Sequence, residues 1–165
     1  LGGIPMGTRS GDLDPSVVTY LMNKENLSPD DMNFILNKES GVYGISGVSV
    51  DFRDIEVEAQ SGGYHAKLAL DVFHYLVACY VARCAVAMNG IDVLTFTAGV
   101  GEKGPISREA ICEQLQFLGV EIDKEKNKIR GEETEISSPN SRVKVYVVPT
   151  NEELVIARET LKLVK

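Results

Sequence analysis

The sequence predicts an α/β protein. Three features carry that expectation: apolar positions recurring at three- and four-residue steps over residues 63–90, and two short β-branched runs, residues 91–98 and 143–148, each leading into a helix signal. With 165 residues, 44% hydrophobic and 25% charged, the composition is that of one ordinary compact domain. Folding at this size buries roughly 70% of the unfolded chain's surface, so no disulfide or metal staple is required. Fibrous, collagenous and disordered classes are excluded.

Taken in order, residues 1–14 are rich in Gly, Pro and Ser and read as an ordered loop. Asp14-Pro15 supplies an N-cap and a first-turn proline for a helix to about Asn23, and Ser28-Pro29-Asp30-Asp31 repeats the device for a second helix that stops near Ser40-Gly41. Residues 14–40 are therefore expected as a helical hairpin on the surface. Residues 41–63 are Gly-punctuated with short apolar pieces, and neither helix nor strand is expected there.

One long helix is expected over residues 63–90, with a wide stripe through Ala66, Ala69, Leu70, Phe73, Leu76, Val77, Tyr80, Val81, Cys84, Ala85 and Met88. Its Ala and Cys content suits close packing, while Lys67, Asp71 and Arg83 argue against a bilayer. Residues 91–98 read as a buried strand running into the glycine-rich stretch 99–104. A helix over residues 107–118 closed by Gly119, a charged loop over 121–141, a second buried strand over 143–148 and a final helix capped by Asn151 complete the chain.

The net charge of −7 and a pI near 4.9, with no basic run, exclude electrostatic capture of nucleic acid or an anionic membrane. Cys79 and Cys84 sit in the apolar helical run as small hydrophobes, and an odd total of three cysteines fits a reducing cytoplasm. No basic stretch followed by an apolar one opens the chain. The start at Leu1-Gly2-Gly3, without Met and within ten residues of a dense motif, reads as a piece of a longer protein.

Four segments could carry chemistry. Residues 99–104 have the form G-x-G-x-x-G between a strand and a helix, where bare backbone lets amides approach an anion or a flat base; a tight structural turn is the alternative. A dinucleotide reading finds acids at Glu121 and Asp123, but Pro105 should open the next helix and leave Gly104 outside it. Arg9 stands in a glycine-bounded loop that suits bidentate contact with phosphate or carboxylate oxygens, or pairs with Asp12 or Asp14. Asp51-Phe52-Arg53-Asp54 could hold a ribose and stack on a base, or form a surface ion pair over a buried ring. Thr150-Asn151-Glu152-Glu153 meets a helix start at a strand's carboxyl end, where a carboxylate can hold Mg²⁺ through water or simply cap the helix. His65 and His74 have no partners at a zinc spacing and read as packing or surface residues.

The segments at residues 6–15, 51–54, 96–102 and 149–154, in this order along the chain and with the closing stretch at residues 150–160, resemble the carboxyl-terminal part of the acetate kinase family, over essentially the whole chain. The resemblance implies a partial ribonuclease-H-like, actin-like ATPase domain with a mixed sheet flanked by helices. Residues 1–165 would be the nucleotide-binding domain of a fragment lacking the amino-terminal domain. By position, Arg9 resembles the family's catalytic arginine, and Glu152 the carboxylate that positions Mg²⁺ or Mn²⁺. Asp51, Phe52, Arg53, Gly99, Val100, Gly101, Glu102 and Lys103 match the nucleotide site. Lys103 departs from the common Asn, and an ammonium cannot accept a hydrogen bond as an amide does.

What is implied is reversible, direct in-line phosphoryl transfer between ATP and acetate, giving ADP and acetyl phosphate, in a cytoplasmic homodimer. The glycine segment, Arg9 and Glu152 should then converge on polyphosphate. The alternatives are a propionate or butyrate kinase, or a non-catalytic dimerising fragment.

Overall fold

The computed structural model describes residues 1–164, and contacts within the chain divide it into two compact units, Leu1–Asn89 and Gly90 onward. The boundary falls at Asn89-Gly90, where both residues take positive φ (+59° and +123°) after the long helix, a conformation that Asn and Gly tolerate best.

The described elements of the first unit are helical. Helix α1 (Pro15–Glu25) is capped by the Asp14 carboxylate, which accepts the Ser16 amide at 2.8 Å. Helix α2 (Pro29–Lys38) opens on a full capping box between Ser28 and Asp31. Both devices lie where the sequence places them, and α1 buries none of its residues, as a surface hairpin should. The stretch expected to lack regular structure instead forms α3 (Gly41–Ser46) and α4 (Phe52–Gln60). Six residues with two glycines give α3 little intrinsic helical signal, and it is held by burial of Val42. Phe52, Ile55 and Ala59 do have helical spacing, and Ile55 is fully buried.

Both pack on α5 (Tyr64–Met88), the long helix the sequence predicts. Its buried residues are mainly small, Ala66, Ala69, Ala78 and Ala85 with Leu70, Phe73 and His74, so neighbouring backbones approach closely. Cys84 and Met88 are exposed, contrary to the stripe expected, because the helix is covered on a narrower face than its apolar content suggests. Among the described helices α5 is the one long and apolar enough to cross a membrane by length and composition; packing on α3 and α4 accounts for part of that composition.

The second unit carries a mixed sheet of order β1-β3-β2. Strand β1 (Val93–Phe96) runs parallel to β3 (Lys144–Val147), in register from Val93 opposite Lys144 to Phe96 opposite Val147, and β2 (Thr134–Glu135) is antiparallel to β3. Helix α6 (Ala98–Lys103) follows β1 at once, then α7 (Pro105–Glu113), and α8 (Glu152–Val164) follows β3. The core gathers Phe96, Ile111, Leu115, Val120, Ile136, Val143, Val145 and Val147.

Three expectations are corrected here. The run 91–98 is not a buried strand throughout, since Phe96 is buried while Val93 is half exposed. The helix expected to Leu118 ends at Glu113, and a 3-10 turn over Gln116–Leu118 leads into Gly119 at φ +87°. Inside the charged segment lies β2, too short for a period to register; the Glu135 carboxylate ties it to the sheet through Lys144 Nζ at 2.7 Å.

Candidate functional site

Parallel pairing of β1 and β3 sends both following loops out of the same sheet edge, and the Val148 amide donates to the Phe96 carbonyl there at 2.9 Å. Ligands in open α/β sheets lie beyond this edge. The glycine-rich stretch and the Thr150–Glu152 segment are thereby brought together within one unit.

The first residue of α6, Ala98, sits at φ +58°, a left-handed conformation costing roughly 1 kcal/mol or more for a residue with a Cβ. The three glycines then differ in what they do. A Cβ on Gly104 would lie 2.6 Å from the Val100 carbonyl oxygen, so packing requires that glycine, while one on Gly101 would press on the Phe96 backbone at 3.3 Å. A Cβ on Gly99 would meet nothing within 4 Å. Gly99 is an exposed, helical glycine with no internal reason to lack a side chain, although glycine costs about 1 kcal/mol against alanine there. Gly104 separates α6 from α7, and Pro105 opens α7, as the sequence implies.

Beneath α6 lies Arg108, 1% exposed, which the sequence reading passed over. Its Nη1 donates to the carbonyls of Gly101 (2.8 Å) and Glu102 (3.0 Å), its Nη2 to those of Asn127 (2.6 Å) and Ile129 (2.9 Å), and its Nε to Asn127 Oδ1 (2.8 Å). All five acceptors are neutral, so an intact positive charge is held under the glycine segment and the closing carbonyls of α6 are capped. Arg130 caps the next carbonyl, that of Lys103, at 2.6 Å. The signal was present, since Arg108 shares a helical face and turn with the buried Ile111, Cys112 and Leu115. Cys112 beside it is inert, its thiol pushed up to about 12 by burial.

Glu102 is 8% exposed and turned inward, its Oε1 accepting the Thr150 amide at 2.7 Å and the Thr150 hydroxyl at 2.8 Å. These bonds hold its carboxyl below the usual range. Lys103 is exposed. Glu152 is exposed at the first position of α8, and Asn151 Oδ1 caps that helix through the Leu154 amide at 3.0 Å. No group of three or more His, Cys, Asp or Glu side chains placed to hold a metal exists among the described residues. One exposed carboxylate fits magnesium held through water and shared with nucleotide phosphates, the usual mode for that ion. Glu121 and Asp123 take no part; Asp123 Oδ1 accepts the amides of Glu125 and Lys126 in a local turn.

In the first unit the loop bearing Arg9 is held by main-chain hydrogen bonds. Met6 donates to the Arg9 carbonyl, Ser10 to Leu36, Ser40 to Thr8, Val42 to Met6 and Tyr43 to Gly7, all at 2.9–3.0 Å. Gly41, at φ +64°, is required because a Cβ there would collide with the carbonyl oxygens of Met6 and Arg9. The two acids that could have neutralised Arg9 are engaged elsewhere. Asp12 holds the Gly3 amide, the Tyr80 hydroxyl and the Arg83 guanidinium, and Asp14 caps α1. The Arg9 guanidinium is exposed and makes no hydrogen bond or ion pair with any described residue.

Gly7 of this loop packs against the Val50 backbone, which brings the segment Asp51–Arg53 beside it. There the surface ion-pair alternative accounts for the contacts seen. Arg53 Nη2 lies 2.5 Å from Asp51 Oδ2, which with the Arg53 amide holds the Asp51 carboxyl down at about 2. Phe52 meets Phe73 edge-on at 4.7 Å. His74 is buried and His65 exposed, packing and surface residues as expected.

Together, a mixed sheet, an open glycine helix and an exposed acid helix at one strand edge make a domain of the α/β class, with these segments at the edge where such sheets commonly hold ligands. Its family is plain from comparison: residues 1–158 match the Acetokinase family, and the chain belongs to it. An acetate kinase of Treponema denticola is 58% identical over the whole chain, which spans 42% of that protein. The crystal structure of Porphyromonas gingivalis acetate kinase superposes with a TM-score of 0.93 at 46% identity, over 99% of this chain and 41% of that one. A propionate kinase from Francisella tularensis gives 0.89 at 41% identity, over 96% and 40%. The chain thus spans about two fifths of the relatives it matches, and its fold is the actin-like fold of those kinases.

Proposed function

We propose that this chain is the carboxyl-terminal, nucleotide-side domain of an acetate kinase, transferring the γ-phosphoryl group of ATP reversibly to acetate. The supporting observation is Arg9, a guanidinium unpaired among the described residues, on a main-chain loop braced on both sides. In transfer, an acetate oxygen forms the new bond to phosphorus in line with the bridging oxygen of ADP, whose bond breaks. Such a step asks for positive charge on the equatorial oxygens more than for a nucleophile, and a guanidinium free to form two parallel hydrogen bonds supplies it. Gly99 leaves room for the nucleoside. Glu152 would hold a divalent ion, magnesium or manganese, which when bound neutralises charge on the phosphates. Cytoplasmic location and homodimeric assembly belong to the same reading.

Kinship with a propionate kinase supports a second reading in which the acceptor is a longer acyl chain. Both readings are tested by hydroxamate formation with acetate and propionate, using the longer family protein that contains this chain. Arg9→Ala should lower kcat by a factor of 10² or more and change the KM for ATP less than threefold; equal losses in both would contradict the role given to Arg9.

A further inference from the structure

We infer that Glu102 is a positioning residue that fixes the glycine-bearing segment after β1 relative to the acid-bearing helix after β3, and that it does not itself bind nucleotide. The inference rests on the nucleotide reading above and reassigns a residue that the family resemblance places among the ligands. Glu102 is nearly fully buried, and its Oε1 is occupied by both donors of Thr150. Its main-chain carbonyl is likewise consumed inward, by Arg108 Nη1 and the Gly131 amide.

Thr150 is two residues before Glu152 and next to Asn151, which caps α8. Parallel pairing already aligns the ends of β1 and β3, but beyond Val148 no backbone ladder joins the two loops. Glu102 bridges that gap with two short bonds to an ionised acceptor, each about twice as strong as a neutral pair. A glutamine could accept from Thr150 through its amide oxygen, without the charge.

The test is titration with ADP, once in EDTA and once in saturating magnesium chloride, of the wild-type chain and of Glu102→Gln, Thr150→Val and Thr150→Ser, with backbone amide exchange followed in each. Positioning predicts that the gain in ADP affinity given by magnesium falls at least fivefold in Glu102→Gln and Thr150→Val. Affinity in EDTA should change less than twofold, and Thr150→Ser should restore the gain. Amides of residues 150–154 should exchange at least tenfold faster in Glu102→Gln, with those of Val145 and Val147 unchanged. Equal loss in EDTA and magnesium would make Glu102 a direct ligand, and exchange rising equally in the strands would make it merely structural; either overturns the proposal. If the wild type takes up no ADP in either condition, the nucleotide reading fails instead. The brace is then judged by exchange alone, and unchanged rates at residues 150–154 overturn it.

Discussion

Arg108 shows how much one side chain can organise. Five hydrogen bonds from a buried guanidinium to neutral oxygens join α6, α7 and the 3-10 turn at Lys126–Lys128. Replacement by an apolar residue strands several buried acceptors at once, and each costs roughly 1–3 kcal/mol when left unsatisfied. Arg108→Met should therefore lower unfolding free energy by about 3 kcal/mol or more, read as a shift of the urea midpoint. Arg108→Lys, with one ammonium in place of a planar fork, should recover only part of that loss. Arg9 is the opposite case, exposed and without a hydrogen-bond or ion-pair partner among the described residues. Its neighbours in sequence suggested a local ion pair, and what removed that alternative was the engagement of Asp12 by Tyr80, a residue 68 positions away. Partners at such separation leave no local mark in the chain.

At the scale of elements, caps and long periods were legible and short elements were not. Asp14, Ser28 and Asn151 announce α1, α2 and α8, and 25 residues of apolar spacing announce α5. Helix α3 and strand β2 owe their existence to what they pack or pair with, over six and two residues, below the length at which a period can be read. Strand β2 also makes a pH prediction. Hydrogen bonds from Lys144, Ser137 and Tyr146 depress the Glu135 carboxyl from 4.5 to about 2. A depressed acid contributes stability that is present above its unfolded value and lost as pH falls through its folded one. The advantage of wild type over Glu135→Gln in urea midpoint should thus be steady above about pH 5 and vanish progressively toward pH 2; an advantage that persists at pH 2 would contradict the linkage.

Across the whole molecule, each unit gathers two of the four segments singled out in the sequence. The first sets the Arg9 loop beside Asp51–Arg53, and the second joins the glycine helix to Thr150–Glu152. The residue types of the site could be read from the chain, but their division of labour could not. Glycine pattern alone does not separate Gly104, which packing requires, and Gly101, which is crowded by the Phe96 backbone, from Gly99, which faces open space. That difference gives the most direct measurement, calorimetric titration of the chain and of Gly99→Leu with MgADP. A leucine at this non-strained helical position should leave thermal stability unchanged or slightly raised while filling the space that the proposed function gives to the nucleotide. Saturable binding by the wild type, weakened at least tenfold in the variant at equal Tm, is the predicted result. No binding by the wild type, or equal affinity in both, would contradict a nucleotide site on this edge.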